Sequence, residues 1–197
     1  PRSRTAPTTT APPSFAWSAL RTRYGSSPRR KVPRVLPLIA YADGSGTIST
    51  MPCGCGVSVY DGDDGPCILE ASWYLGNGTN NHAELSAALV ALWMTEPFAA
   101  RPLIVRTDSM YTIQMITRPG GVPSTAKNAT LIRDARAAVA RRVVLFEHVR
   151  GHTGVPGNVR ADKLAGLARR RGVAYVEALA RRAAHLVDRS GDGERFG

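Results

Sequence analysis

At 197 residues with 43% hydrophobic content, the chain can bury one core and carry extensions, and it leaves little room for two full domains. Its formal charge of +11 points to a polyanion, with nucleic acid the leading class, because a basic surface gains binding free energy by releasing counterions from phosphates. An odd count of three cysteines, no secretory signal and no apolar run of about 18 residues argue against a disulfide scaffold and a membrane span, so an intracellular, reduced protein is expected, mitochondrion and nucleus both open.

Residues 1–34 are rich in Pro, Ser, Thr and Arg, contain no acid and have no sustained apolar period, so they read as an arm outside the core. Their composition fits either the remnant of an organellar transit peptide or a linker from a larger polyprotein. The eight basic residues of this arm could also lie along a duplex backbone, with Phe15 and Trp17 as docking groups.

Ordered structure is expected from Leu38, where the apolar run 38–42 is stopped by Asp43-Gly44-Ser45-Gly46, and Pro37 disfavours an earlier start. Residues 54–60 and 67–75 read as two strands of a hairpin, reversed by Asp61-Gly62-Asp63-Asp64-Gly65. The acids of that turn lack EF-hand spacing, which leaves a solvated turn. Cys53 and Cys55 lack a second pair and a histidine at ligand spacing, so they and Cys67 read as free thiols and not as zinc ligands.

A helix is predicted over 81–95, with Leu85, Ala88, Leu89 and Leu92 on one face and Asn81 and Glu84 as an N-terminal box. A strand at 103–105 leads to Asp108, and a brief helix over 109–117 is stopped by Pro119-Gly120-Gly121. Asn128 is placed to cap a helix with Leu131, Ile132, Ala135 and Val139 inward. The fifth strand is 143–149; the loop 151–157 leads to Asn158 as cap of a helix that runs to Arg171 and is closed by Gly172. Val176, Leu179, Ala183 and Leu186 have amphipathic spacing, which predicts an extra C-terminal helix over 173–189. The expected fold is α/β, a five-stranded mixed sheet flanked by helices, with an arm at 1–34, a main domain at 35–172 and a C-terminal extension at 173–197.

Four acids sit where such elements begin or end: Asp43, Glu84, Asp108 and Asp162. Each alone has a sufficient structural explanation, as an Asx turn, a capping glutamate, a helix cap and an acid favoured by a helix dipole. Their surroundings link them. Tyr41-Ala42-Asp43-Gly44-Ser45, Thr79-Asn80-Asn81-His82-Ala83-Glu84, Arg106-Thr107-Asp108-Ser109, and Gly151-His152-Thr153-Gly154 continuing through Asn158 to Asp162 occur in that order. Over residues 38–167 this pattern resembles type 1 ribonuclease H.

The resemblance implies a ribonuclease H-like fold and endonucleolytic hydrolysis of the RNA strand of RNA/DNA hybrids. It implies that Asp43, Glu84, Asp108 and Asp162 hold two Mg²⁺ ions, with Mn²⁺ as substitute, and that His152 handles protons and product release from a mobile loop. Gly44, Ser45, Asn80 and Asn81 match positions that sense the sugars across the minor groove, Thr79 matches a residue lining a DNA-phosphate pocket, and Ser109 and Asn158 complete the substrate-contacting set. Asn80 and Asn81 serve equally well as helix-capping residues. The chemistry accounts for the acids: phosphodiester hydrolysis places charge on the attacking water, the non-bridging oxygens and the leaving 3′ oxygen, and two cations can meet all of it. Hard oxygen donors suit Mg²⁺ or Mn²⁺ and not zinc, and without metal four converging carboxylates raise one another's pKa. His82, His148 and His185 read as surface or packing residues.

The chain departs from the family pattern in three places. The stretch between Asp108 and His152 is short and 119–127 is mostly neutral, so a basic helical handle is missing; Met110 replaces a polar residue and Ser49 an asparagine. The expected substitutes for the grip are the arm, or Arg169 to Arg171 with the C-terminal helix. A free enzyme, a module of a reverse-transcribing polyprotein and a ribonucleoprotein component remain open. The rival from another class is a non-catalytic nucleic-acid binding module of the same fold. An integrase-like or resolvase-like nuclease is disfavoured by the Thr79–Glu84 motif and the His152 loop.

Overall fold

The computed structural model describes residues 35–49, 51–151, 153–172 and 175–178. The arm, His152 and everything beyond 178 lie outside the described residues.

Three strands, β1 (Leu38–Ser45), β2 (Met51–Tyr60) and β3 (Cys67–Gly78), form an antiparallel meander. The chain then passes through α1 (Asn80–Met94) and a 3₁₀ turn (Glu96–Phe98) into β4 (Leu103–Thr107). Helices α2 (Met110–Thr117) and α3 (Ala129–Val139) lead to β5 (Val144–His148), and α4 (Pro156–Arg171) to β6 (Tyr175–Ala178). The sheet order is β5-β4-β1-β2-β3-β6, with β4 parallel to β1 and β5 parallel to β4. Parallel neighbours require crossovers, which the helices supply.

Alternation along β1 divides the core. Leu38, Ala40 and Ala42 join Val57, Val59, Leu85, Leu89 and Ile132 on one face, while Ile39 and Tyr41 meet Ala161 of α4 on the other. Burial of these side chains drives the layering, at about 1.5–3 kcal/mol for each large one. The Arg142 guanidinium secures the end of α1 by donating to the carbonyls of Thr95, Phe98 and Arg101, which satisfies acceptors that a helix end leaves unpaired.

Helix α4 lies unusually close to the sheet because both surfaces are small. Ser58 and Ser72 donate to the carbonyls of Gly157 and Leu164 at 3.1 and 2.7 Å. A Cβ added at Gly56 would fall on the backbone of Ala161 and Ala165. Gly56→Ala is therefore expected to cost about 3 kcal/mol, the upper part of the range for overpacking, read as a lower urea midpoint. An unchanged midpoint would remove close packing as the reason for glycine there.

The five expected strands and the helices between them are present, with several corrections. β1 runs through Ser45, so Asp43 lies inside the strand, opposite Gly56, and not in a turn after it. Thr79, not Asn81, caps α1: its hydroxyl accepts from the His82 N–H at 3.3 Å, and Asn81 lies within the helix. Asn128 stands at the start of α3 with φ 61° and its side chain makes no capping bond. Helix α4 starts at Pro156 after Val155, so Asn158 sits in the first turn instead of capping it. Pro at the first helical position explains the earlier start.

The extra C-terminal helix is also corrected at its beginning. Residues 175–178 form β6, paired antiparallel with Leu69–Ser72 of β3. Without it β3 would be a bare edge, and ladder hydrogen bonds outweigh a weak local helical preference. The rest of the predicted helix lies outside the described residues. No described helix is long and apolar enough to cross a membrane.

Candidate active site

The parallel pairing of β1 and β4 brings Asp43 and Asp108 to the same end of the sheet. Glu84 reaches them from the second turn of α1, and its position depends on Gly44. A Cβ at Gly44 would collide with the backbone of Ala83 and Glu84; its N–H donates to Glu84 Oε2 at 3.2 Å. Asn80 Nδ2 donates to the other carboxylate oxygen at 3.4 Å.

One oxygen from each of Asp43, Glu84 and Asp108 lies within 4.8 Å of the others. Asp162 of α4 lines the same cavity of about 350 Å³, together with Gly44, Asn80 and Ser109, but stands outside that triad. Asp43 and Glu84 are buried, 7% and 6% exposed, whereas Asp162 is exposed. The electrostatics follow from this placement. Burial first, then Asp108 and Asp162, pushes Asp43 up to about 7, against a hydrogen bond from Gly44. Burial, then Asp43 and Asp108, pushes Glu84 up to about 9, opposed by Gly44 and Asn80. Crowded carboxylates of this kind are costly to ionise without a counter-charge, and a divalent cation supplies one. The donors are all carboxylate oxygens, which fits a hard cation.

The remaining expected site residues are less uniform. Ser109 lines the cavity, but its Oγ accepts the Thr112 N–H at 3.2 Å and so caps α2. Thr79 is likewise engaged as a cap and bridges through its backbone to Thr47. Asn81 is exposed, and Ser45, partly buried, pairs with Gly54; neither lines the cavity. Asn158 is 5% exposed, and its Oδ1 has no partner among the described residues. His152 lies outside the described residues. Its neighbour Gly151 is so close to the Asp108 carboxylate that a side chain there would strike Oδ2, which brings the loop onto the acidic cluster.

Three features of the site's surroundings have no signature in the sequence pattern. The His148 Nε2–H donates to the Asp108 carbonyl at 3.2 Å, tying the end of β5 to that of β4, where sequence alone assigns a surface or packing role. Arg106 donates to Tyr41 Oη at 3.0 Å and Glu147 at 2.8 Å and pairs with Asp63 at 2.6 Å, joining β1, β4, β5 and the β2–β3 turn. His82 Nδ1 lies 3.9 Å from Cys53 Sγ, a pair 29 positions apart in the chain. Parallel strand register could have indicated the Arg106–Glu147 pair, which is directly opposed; the two histidine contacts require the helix and loop positions.

A model of the RNase H family matches residues 37–170, which includes all four acids. A ribonuclease H of Dinoroseobacter shibae is 39% identical over 140 residues, covering 65% of this chain and 88% of the relative. Among solved structures, LC11-RNase H1, isolated from compost by a metagenomic approach, superposes with a TM-score of 0.59 at 28% identity, covering 69% of this chain and 97% of its own. The same protein in complex with an RNA/DNA hybrid gives a TM-score of 0.58 at 26% identity, covering 68% and 98%. With the family match spanning most of the chain and these relatives agreeing in fold, the chain belongs to the RNase H family, as a type 1 ribonuclease H.

Proposed function

We propose that this protein cleaves the RNA strand of RNA/DNA hybrids endonucleolytically, using two Mg²⁺ ions held by Asp43, Glu84, Asp108 and Asp162, and that residues 35–172 carry the activity. The observation that carries this reading is the convergence of Asp43, Glu84 and Asp108 within 4.8 Å, two of them buried with raised pKa values. When bound, the cations supply Lewis-acid stabilisation of charge on the phosphodiester and acidify a water; Mn²⁺ can substitute.

The residues of the chain do the positioning. Gly44 and Asn80 orient the Glu84 carboxylate through one hydrogen bond to each oxygen. Gly44, Asn80 and Ser109 face the cavity and offer backbone and side-chain groups to the sugars of a hybrid, whose ribose 2′-hydroxyls distinguish the strand to be cut. Contacts of this type read backbone and sugar, so cleavage is expected to tolerate sequence. His152, in the loop that Gly151 brings against Asp108, is the candidate for proton transfer to the leaving oxygen. That LC11-RNase H1 has been solved with an RNA/DNA hybrid supports the same substrate class here.

The test is incubation of labelled hybrid, single-stranded RNA and duplex DNA with Mg²⁺ or Mn²⁺. Cleavage confined to the RNA strand of the hybrid is expected, leaving 5′-phosphate and 3′-hydroxyl ends. A wild-type protein that binds the hybrid and leaves it intact would sink the enzyme reading in favour of a binding module.

A further inference from the structure

The acidic centre must receive a polyanion, yet the stretch 119–127, where a basic handle would stand, is nearly neutral. Helix α4 carries five cations, Arg160, Lys163, Arg169, Arg170 and Arg171, beside a single acid, Asp162. These cations do not share one face. Residues seven apart on an α-helix lie about 20° from eclipse and about 10 Å apart along the axis, so Arg169 stands on the same flank as Asp162, two turns further on. Arg160 projects from the opposite flank, where its guanidinium makes a bidentate pair with Glu70 of β3. By the same periodicity Arg171 follows Arg160, and Arg170 points away from the sheet.

Packing fixes where Arg169 stands. A Cβ at Gly54 would touch Ala168 and the Arg169 backbone nitrogen, and Gly54 pairs with Ser45, two residues beyond Asp43 on β1. Arg169 therefore lies at the carboxylate end of the sheet. Its charge is close enough to Cys53 to oppose the upward pull of burial on that thiol. The side chain is half-buried, and among the described residues it takes part in no salt bridge. Its guanidinium therefore has no carboxylate partner among the described residues, and an incoming phosphate can accept charge-assisted hydrogen bonds from it.

We propose that Arg169 is a substrate-binding residue that grips a backbone phosphate of the nucleic acid two helical turns from Asp162, so that α4 holds the cut site and a neighbouring phosphate on one rigid element. This rests on the reading of the substrate as an RNA/DNA hybrid. Of the three consecutive arginines, only Arg169 has this role.

The experiment compares the full chain with Arg169→Gln, Arg169→Lys and Arg141→Gln. The last removes the same charge from the turn before β5, at the other end of the sheet. KM and kcat on a labelled hybrid with Mg²⁺ are measured, and hybrid affinity is followed across salt concentrations in the Asp108→Asn background. Arg169→Gln is expected to raise KM roughly 5- to 10-fold at unchanged kcat and to reduce the slope of log affinity against log salt by about one. Arg169→Lys should keep the slope, and Arg141→Gln should match wild type in KM. Equal behaviour of Arg169→Gln and Arg141→Gln, with wild type cutting the hybrid, overturns the role of Arg169 alone. A wild type that neither binds nor cuts the hybrid overturns the substrate assignment and this inference together.

Discussion

Asp43→Asn is expected to lose hybrid cleavage by roughly 10²- to 10³-fold, the scale on which removal of one group that stabilises transition-state charge acts, and to make the metal-free protein more stable. The two effects have one cause. Asp43 is 7% exposed and faces Asp108 and Asp162, and burial with their repulsion lifts its pKa to about 7. In the proposed function a bound cation would compensate this carboxylate. Asparagine keeps the shape and removes the charge, so the carboxylates left behind repel less and the cation loses a ligand. A gain of about 1–2 kcal/mol in EDTA is expected, or about 3 °C in Tm for each kcal/mol in a domain of this size. Added Mg²⁺ should raise the wild-type Tm and scarcely move that of the variant. Thermal melts of both proteins with EDTA and with Mg²⁺, beside the cleavage assay, check both halves. A variant less stable than wild type in EDTA would show that the Asp43 carboxylate contributes to the fold by itself.

The second expectation is an inverted pH dependence of stability in the absence of divalent cations. Asp43 and Glu84 have raised pKa values in the folded protein, about 7 and about 9 against ordinary values of 3.8 and 4.5. Between the ordinary and the raised values the folded state holds more protons than the unfolded one. Stability then falls as pH rises through that window, and is greatest below the unfolded pKa values. The loss is on the order of 3 kcal/mol, less than the two shifts taken independently, because each bound proton relieves the other carboxylate. Glu70 acts in the opposite sense, since its pairing with Arg160 lowers its pKa and its contribution disappears only in more acidic solution. Urea midpoints between pH 5 and 8 in EDTA should therefore decline as pH rises. With saturating Mg²⁺ the slope should flatten or reverse, because the cation binds the ionised site and stabilises the folded state by mass action. Parallel slopes with and without Mg²⁺ would show that the two carboxylates do not form the cation site.

Much of the molecule was legible in the chain itself. The apolar run before Asp43, the Asp-Gly turn at 61–65 and the period of Leu85, Leu89 and Leu92 are local signals, and local signals place strands, a hairpin and a helix. The four acids were legible as a candidate set only because their flanking residues occur in order; three of them, Asp43, Glu84 and Asp108, approach one another, while Asp162 lines the same cavity outside that triad. What the chain could not decide depends on partners distant in sequence. Glu84 looks like a capping residue until Gly44, 40 positions away, donates to it. Asn158 looks like a cap until α4 starts two residues earlier, at Pro156, and packing buries the side chain.

Residues 175–178 have a helical pattern, yet β6 forms because the free edge of β3 offers ladder hydrogen bonds that a local period cannot register. The triple arginine at the end of α4 is a single feature in the sequence, but helical geometry separates it and leaves only Arg169 on the flank of Asp162, two turns further along the helix. The order of hydrophobic and turn residues by itself determined the five main strands and the helices between them, and the ordered motifs around the four acids singled those acids out as candidates. The parallel pairing of β1 with β4, and the close fit of α4 on Gly54 and Gly56, decided which charges meet, because electrostatic coupling depends on distance and burial and neither is local to the chain.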